Sequence, residues 1–592
     1  MLKRTHKCGE LRQSHAGQKV VLYGWARSIR DHKDIIFINL TDRYGWIQVG
    51  ISKEQRDQVG REDFICVEGK VMPRPDGQIN NKIATGEVEV QCEKLTMVGK
   101  CARQLPFEIQ DQTDASEETR LKFRVLDLRR PIMLERLQIR SRTASVVRRA
   151  LESRDFLEVE TPMLVRSTGE GARDFVVPSR VFPGSFFSLP QSPQLYKQML
   201  MVSGVERYYQ LARCYRDEDP KKERQHVHTQ IDLEMALITP EDLYELVEYM
   251  LTCVGKEIFG IEIKTPFPRF SYEEVMRRFG SDKPDMRFGV EIIDFAAAVK
   301  NSGAELFERA LTNNEAVRGL VAPGCAVLSN SQVKELEKSL QVYHKGGLVA
   351  FKVKGGKLDG SLVKKMKPEA AQQILTHSQA KEGDLVLITT GKSLDVQKGL
   401  GELRRTIGKQ LKLTSEDQLA FLWVNDFPLF EWNEEEQKWD PMHHMFTMPR
   451  PEFVDNFEKN PAAVTGQLYD LVLNGVELGS GSIRITSPDL QRKIMEFVGI
   501  DFAEAERRFG FLLDAYQYAA PFHGGIGIGF DRLLMTLLKL DNIREVMAFP
   551  NAGNGTYLFD GSPAPLEPRQ IKELHIVIKT DEKPKADEKP KA

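Results

Sequence analysis

Asn474-Gly475 lies between two apolar runs in YDLVLNGVELGSGSIRI, and that setting is the strongest short-range signal for a β-hairpin with a two-residue turn. A turn of that length pins the register of both strands. Val472 then faces Glu477, and Asp470 lies on the same face as Glu477, a diagonal neighbour about 7 Å away. Paired carboxylates at that spacing suit a hard cation shared with phosphates. Arg484 lies an odd number of residues beyond Glu477, so alternation sends it to the other face unless Gly479-Ser480-Gly481 makes a bulge.

A second stretch, YYQLARCYRDEDPKKERQHVHTQIDLEM (208–235), repeats polar residues at strand period on both sides of a charged loop. Side chains alternate along a strand, so Arg216 shares a face with Glu218, and Gln230 shares one with Asp232 and Glu234. Two antiparallel strands could present a cation, carboxylates and an amide to one pocket, although a solvated hairpin has the same pattern. In GGIGIGFDRLLMTLLKL a glycine-alternating strand runs into a helix with an apolar face of Leu533, Leu534, Leu537 and Leu538. Bare glycine on a strand face lets a flat ligand lie against the backbone, with Arg532 at the exit; close strand-on-helix packing is the alternative.

Two nucleotide-loop look-alikes do not qualify. A Walker loop ending at Gly391-Lys392-Ser393 needs glycine where Val386 stands, and Gly525 to Phe530 reads GxGxG, not GxGxxG.

The 592 residues call for several domains. Five short β-rich runs between Val20 and Cys92, before any long helix, predict a small OB-type barrel. Strands and helices mixed over 286–415 predict an inserted α+β domain. The closing repeat DEKPKADEKPKA has nothing to bury and predicts a disordered tail. Lysine plus arginine number 83 against 85 acids, a net charge of −2, so any nucleic-acid contact is local. The seven cysteines form no CxxC, which predicts no zinc, no disulfide framework and a cytoplasmic home. The polar start and the lack of any run of about eighteen apolar residues predict neither secretion signal nor membrane span.

Taken together, these residues resemble the three signature motifs of class II aminoacyl-tRNA synthetases, and most closely the bacterial-type aspartyl-tRNA synthetase family. The strings run in order: WARSIRD, LKFRVLDLRRP, FLEVETPML (motif one), GEGARDF, LPQSPQLYKQML, CYRDED and TQIDLEM (motif two), GSDKPD, HHMFT, DLVLNGVELGSGSIRI and GIGFDR (motif three). The resemblance implies a multidomain α+β chain with an N-terminal OB-fold β-barrel for the anticodon (1–104), a hinge (105–130), and an antiparallel-sheet catalytic domain in two parts (131–285 and 416–566). The inserted α+β domain (286–415) divides that domain, and a C-terminal extension (567–592) ends the chain. It implies a homodimer through the motif one helix and Pro162, and ATP-dependent activation of aspartate followed by transfer to tRNA(Asp).

The residue roles implied by the resemblance are as follows. Arg216 grips the α-phosphate and the aspartate carboxylate, and Arg532 the adenine and γ-phosphate, with Glu218 beside them. Asp217, Gln225, His228, Gly529, Phe530 and Asp531 complete the ATP site, and Asp470 and Glu477 hold magnesium. Lys197 and Arg484 take the aspartate side chain under His443, while Glu170, Gln194 and Asp232 receive its ammonium. In the barrel, Phe37 stacks an anticodon base and Arg30 and Gln48 contact edges or phosphate. His32 and Gly77 match residue types of members that also charge tRNA(Asn).

The chain departs from the family where His228 replaces a phenylalanine and Val227 a glutamate of motif two, and where Gly169, Met445 and Ser480 replace proline, proline and glycine. A histidine of ordinary pKa at position 228 predicts ATP binding that weakens as pH falls toward about 6.5. The competing readings are asparaginyl-tRNA synthetase, an aspartate–ammonia ligase without the barrel, and a catalytically silent RNA-binding paralogue.

Overall fold

Five strands with side chains buried at every second position close into a barrel: β1 (Lys19–His32), β2 (Ile35–Asp42), β3 (Gly45–Ile51), β4 (Phe64–Pro73) and β5 (Val88–Gly99), in the order β1-β2-β3-β5-β4. The computed structural model describes residues 2–32, 35–169 and 171–579. Val20, Leu22, Ile36, Ile38, Leu40, Ile47, Val49, Val67 and Val90 fill the barrel interior, as period-two β-branched sequence dictates. All pairs are antiparallel except β3 with β5.

The chain divides into two compact units, residues 1–138 with 556–563, and the remainder from 139. The expected hinge belongs to the first and carries two short helices (Glu117–Lys122 and Arg124–Asp127). Helix α1 (Pro131–Glu152) follows.

An eight-stranded sheet dominates the second unit. Its strands are β6 (Leu157–Glu158), β7 (Arg207–Tyr215), β8 (Val227–Ala236), β9 (Arg269–Ser271), β10 (Phe421–Asn425), β11 (Leu468–Leu473), β12 (Val476–Ile483) and β13 (His523–Gly529). The order is β9-β10-β11-β12-β13-β8-β7-β6, antiparallel but for the two edge pairs. One face packs on the helix at Pro240–Val254, on the second half of α1 and on the helix at Phe530–Leu537, burying Tyr209, Leu233, Trp423, Leu471, Ile526 and Leu534 among others. On the opposite face Leu422, Val424, Leu468 and Val472 of β10 and β11 pack on Val275, Phe279 and Phe427, and the part over β12, β13 and β8 carries the cavity described below.

A separate five-stranded sheet within 293–391, flanked by helices, has a hydrophobic cluster on each face. Gly391-Lys392-Ser393 is the step from its buried strand Leu385–Gly391 into a helix. The terminal repeat, 581–592, lies outside the described residues.

Candidate active site

The hairpin turns at Asn474 and Gly475, with φ of 52° and 82°, and pairs Leu473 with Val476 and Val472 with Glu477. The register then shifts: Leu471 pairs with Gly479 and Asp470 with Ser480, leaving Leu478 as the extra residue of a bulge. The bulge thus lies one residue before Gly479-Ser480-Gly481, the run expected to form it, and has the same effect on the face of Arg484. Beyond the bulge, Ser480, Ser482 and Arg484 fall on one face.

That face and its neighbours on β13, β8, helix α2 (Gln194–Val202) and helix α3 (Phe530–Leu537) bound a cavity of about 970 Å³. Its wall includes Gln194, Lys197, Arg216, Glu218, Gln225, His228, Asp232, His443, Glu477, Arg484, Gly529 and Arg532, brought from widely separated stretches of chain. The glycines of β13 explain how the floor closes. A Cβ at Gly525 would lie 2.0 Å from a Glu234 oxygen, and one at Gly527 would crowd Asp232 and Gln230 at 3.2 Å.

At one end the charges are buried and interlocked. Lys197 is 1% exposed and reaches Asp232 at 2.8 Å and Glu234 at 3.2 Å. Arg484 meets Glu234 with two prongs, Nε to Oε1 at 2.9 Å and Nη2 to Oε2 at 3.1 Å. Its Nη1 donates to Ser482 Oγ at 2.7 Å and to His444 Nε2 at 3.0 Å. An arginine only donates, so His444 Nε2 accepts there, and on the other side of the ring the Phe446 N–H donates toward Nδ1 at 3.2 Å. Burial, reinforced by Arg484, holds His444 well below the ordinary imidazole range. Burial disfavours the Glu234 charge, but Arg484 and Lys197 outweigh it and hold the carboxyl at about 2. Asp232 goes the other way, raised chiefly by burial.

Toward the other end the polar atoms are open. Arg216 Nε, Gln194 Nε2 and Gln225 Oε1 are buried without a hydrogen-bond partner among the described residues. Glu218 pairs with Arg224 at 2.7 Å. Arg532 Nη1 donates to the Glu477 carbonyl at 2.6 Å, and Lys283 approaches the Glu477 carboxylate at 3.5 Å. Asp470, 3% exposed, lies behind this wall, its Oδ1 without a partner among the described residues. Burial and then Glu477 push its carboxyl well up, while Arg532 and Lys283 draw Glu477 down against its own burial. Ser480 Oγ also meets His443 Nδ1 at 3.0 Å.

Several expectations need correction. Phe530 does not face the cavity: it is 2% exposed in the core, under the Arg140 guanidinium at 4.9 Å. Asp531 reaches the wall, but one oxygen accepts the Thr229 N–H at 2.8 Å and the other pairs with Arg140, so it joins strand to helix. Asp217 does not line the cavity, and its N–H bonds the Arg173 carbonyl at 3.0 Å. Strand β7 ends at Tyr215, so Arg216 and Glu218 reach the cavity from the loop rather than by alternation. His228 is not an ordinary histidine: burial and then Arg216, Arg532, Arg213 and Arg224 lower its pKa to about 3, so it carries no charge near pH 6.5. Glu170 lies outside the described residues.

Sequence reasoning placed Glu234 among the carboxylates facing a pocket without assigning it a partner, and gave no role to His444 or Lys283. Each had a signal: Glu234 continues the period of Gln230 and Asp232, His444 adjoins His443, and Lys283 lies in GSDKPD.

On the barrel, Ile36 and Ile38 point inward and Phe37 outward, half-buried, opposite Arg30 and Gly50. Arg30 Nη2 donates to Asn39 at 3.1 Å and Gln48 at 3.2 Å, so these side chains form one outer patch. His32 is exposed at the end of β1, and Gly77 sits in a turn with open space around it.

A family model described as tRNA synthetases class II (D, K and N) matches residues 116–553, and one described as an OB-fold nucleic acid binding domain matches 20–98. The chain is 45% identical over 588 residues to an aspartate--tRNA(Asp/Asn) ligase of Treponema denticola, covering 98% of this chain and 99% of that one. It is 44% identical over 585 residues to an aspartate--tRNA ligase of Geobacillus kaustophilus, with coverages of 98% and 99%. Among solved structures, asparaginyl-tRNA synthetase from Pyrococcus horikoshii with asparaginyl-adenylate is similar at a TM-score of 0.58 and 19% identity, covering 96% of this chain and 100% of that chain. Aspartyl tRNA synthetase from Entamoeba histolytica is similar at a TM-score of 0.56 and 18% identity, with coverages of 96% and 93%. At these identities the structures speak for the fold alone.

Proposed function

The chain belongs to the class II tRNA synthetases of the D, K and N group, and on that premise we propose that it is an aspartate–tRNA ligase whose active site is the cavity above. The observation that carries the reading is the buried end of the cavity: Lys197 from α2 and Arg484, the residue after β12, share Glu234, giving a dicarboxylic amino acid two cationic partners. Asparagine would put an NH2 group against these donors, a pairing that costs affinity.

In the first step an oxygen of the aspartate α-carboxylate attacks the ATP α-phosphorus and pyrophosphate leaves. In the second the terminal ribose hydroxyl of the tRNA takes the aspartyl group and AMP leaves. Arg216, with its unpartnered Nε, is suited to the α-phosphate and the attacking carboxylate. Gln194 and Asp232 border the place of the substrate ammonium, and His443 covers the side-chain end. His228 and Arg532 form the two walls of an adenine slot, between which Gly529 leaves backbone bare. Such chemistry is mostly positioning and charge stabilisation.

Asp470 and Glu477 fit a magnesium ion: a buried carboxylate oxygen without a partner stands beside a second carboxylate. Phosphate and water oxygens would fill the rest of the ion's shell. When bound, the ion would neutralise phosphate charge.

The outer barrel patch of Arg30, Phe37 and Gln48 suits the anticodon, and His32 and Gly77 favour acceptance of tRNA(Asn) as well as tRNA(Asp). Exposed Leu157, Leu164, Val176, Phe182 and Phe186 support a homodimer. Seven free cysteines support a reducing cytoplasm, and no described helix is long and apolar enough to cross a membrane.

ATP–pyrophosphate exchange with aspartate, asparagine and lysine in turn tests the assignment. Exchange with aspartate alone is expected; exchange with asparagine, or with none, overturns it. Charging of purified tRNA(Asp) and tRNA(Asn) tests the tRNA range, and no product with tRNA(Asn) removes that part.

A further inference from the structure

Arg140 lies on α1 and is not part of the cavity wall. Its guanidinium nevertheless bridges two elements that are: Nη1 pairs with Asp531 Oδ1 at 2.5 Å, and Nη2 donates to Thr229 Oγ1 at 3.0 Å. The second Asp531 oxygen accepts the Thr229 backbone N–H at 2.8 Å, closing a ring of three residues from α1, β8 and α3. Asp531 is 2% exposed and Thr229 6%, so both acceptors are shielded, while the Arg140 side chain is 19% exposed. Arg213 adds a further donor to Thr229 Oγ1 at 3.1 Å.

Each bridged residue adjoins a wall of the adenine slot. Thr229 follows His228 on β8, and Asp531 precedes Arg532 in the first turn of α3. We propose that Arg140 is a positioning residue for ATP, fixing the separation of His228 and Arg532 without touching the nucleotide. The inference rests on the reading of those two residues as the slot. A planar fork holds both partners at once, whereas a lysine ammonium in its place is a single point of attachment on a flexible stem. With the fork gone, Asp531 keeps a buried charge without its cation, and the first turn of α3 shifts to rehydrate it.

The test uses the full-length enzyme and the variants Arg140→Lys, Arg140→Gln and Thr229→Val, measured by ATP–pyrophosphate exchange, by direct ATP binding and by thermal unfolding. The expected result for both Arg140 variants is a KM for ATP raised about tenfold, with the KM for aspartate unchanged and ATP binding weakened in parallel. Lysine should rescue melting temperature relative to glutamine without restoring the KM for ATP. Should Arg140→Gln fail to fold, Thr229→Val decides, since it removes one hydroxyl and keeps the Asp531 bond to the backbone. Equal rises in both KM values, or a lowered melting temperature with ATP binding unchanged, would show a merely structural contact and overturn the proposal. Wild-type enzyme that shows no aspartate-dependent exchange would instead remove the slot reading beneath it.

Discussion

Arg484 and Glu234 join through two hydrogen bonds at 2.9 and 3.1 Å, with both side chains 1% exposed or less. The pair anchors the cationic end of the cavity, because Lys197 rests on the same carboxylate. Glu234 was expected on the correct face of its strand, and its work is to hold two cations still. Glu234→Gln leaves Arg484 and Lys197 with one acid, Asp232, between them. Loss of one partner from a buried pair costs about 3–5 kcal/mol. Denaturant unfolding should show a loss of that order, with a raised KM for aspartate and little change in the KM for ATP. A stability equal to wild type would contradict the anchor.

His228 gives a pH prediction whose sign follows from its neighbours. Burial and four arginines place its folded pKa at about 3, below the ordinary value near 6.5. Between those values the unfolded chain binds a proton that the folded chain refuses, so stability falls as pH drops through that window. ATP affinity is unaffected by this group, because the folded imidazole stays neutral. His228→Phe should therefore keep the wild-type dependence of ATP binding on pH from 8 to 6. It should also lose less melting temperature than wild type on acidification from pH 7 to 5. A flattened ATP profile in the variant would mean that His228 does titrate in the slot.

How far the sequence could be read depended on whether local periodicity decided the geometry. Gln230, Asp232 and Glu234 share a face because a strand alternates, and Asn474-Gly475 sets its own register because the turn admits little else. The bulge could be stated only as a condition, since extra Leu478 is selected by pairing with β11 and β13 together. Phe530 was misplaced because GIGFDR changes from strand period to helix period at that residue, and the helix turns its ring into the core. Arg140 had no local signal: its partner Asp531 is 391 residues away. The depressed pKa of His228 likewise depends on arginines gathered only by folding.

Asp470 and Glu477 predict a metal effect. In the protein alone, burial and Glu477 hold Asp470 toward its protonated form, and a bound dication would reverse that preference. Asp470→Asn removes the charge while keeping the shape. The magnesium concentration for half-maximal exchange should rise about tenfold, and calorimetric titration of magnesium into the ATP-loaded enzyme should weaken to match. Because Asp470 is buried beside Glu477 with Oδ1 lacking a partner among the described residues, loss of its charge should leave the variant melting no lower than wild type. An unchanged magnesium requirement would detach these carboxylates from the metal.

Phe37 separates recognition from stability in the barrel. Its neighbours Ile36 and Ile38 are 5% and 0% exposed and fill the interior, while the Phe37 ring lies outside, opposite Gly50, which has no side chain to cover it. Truncation therefore opens no cavity in the core. Stacking of a base on an aromatic ring is worth about 1–3 kcal/mol. Phe37→Ala should weaken tRNA binding by that amount, seen as a raised KM for tRNA in aminoacylation, and leave amino-acid-dependent exchange and the melting temperature unchanged. The effect should be equal for tRNA(Asp) and tRNA(Asn) if the ring stacks on a base the two share, and unequal if it faces the position at which their anticodons differ. A loss of melting temperature without a change in tRNA binding would make Phe37 part of the barrel packing after all.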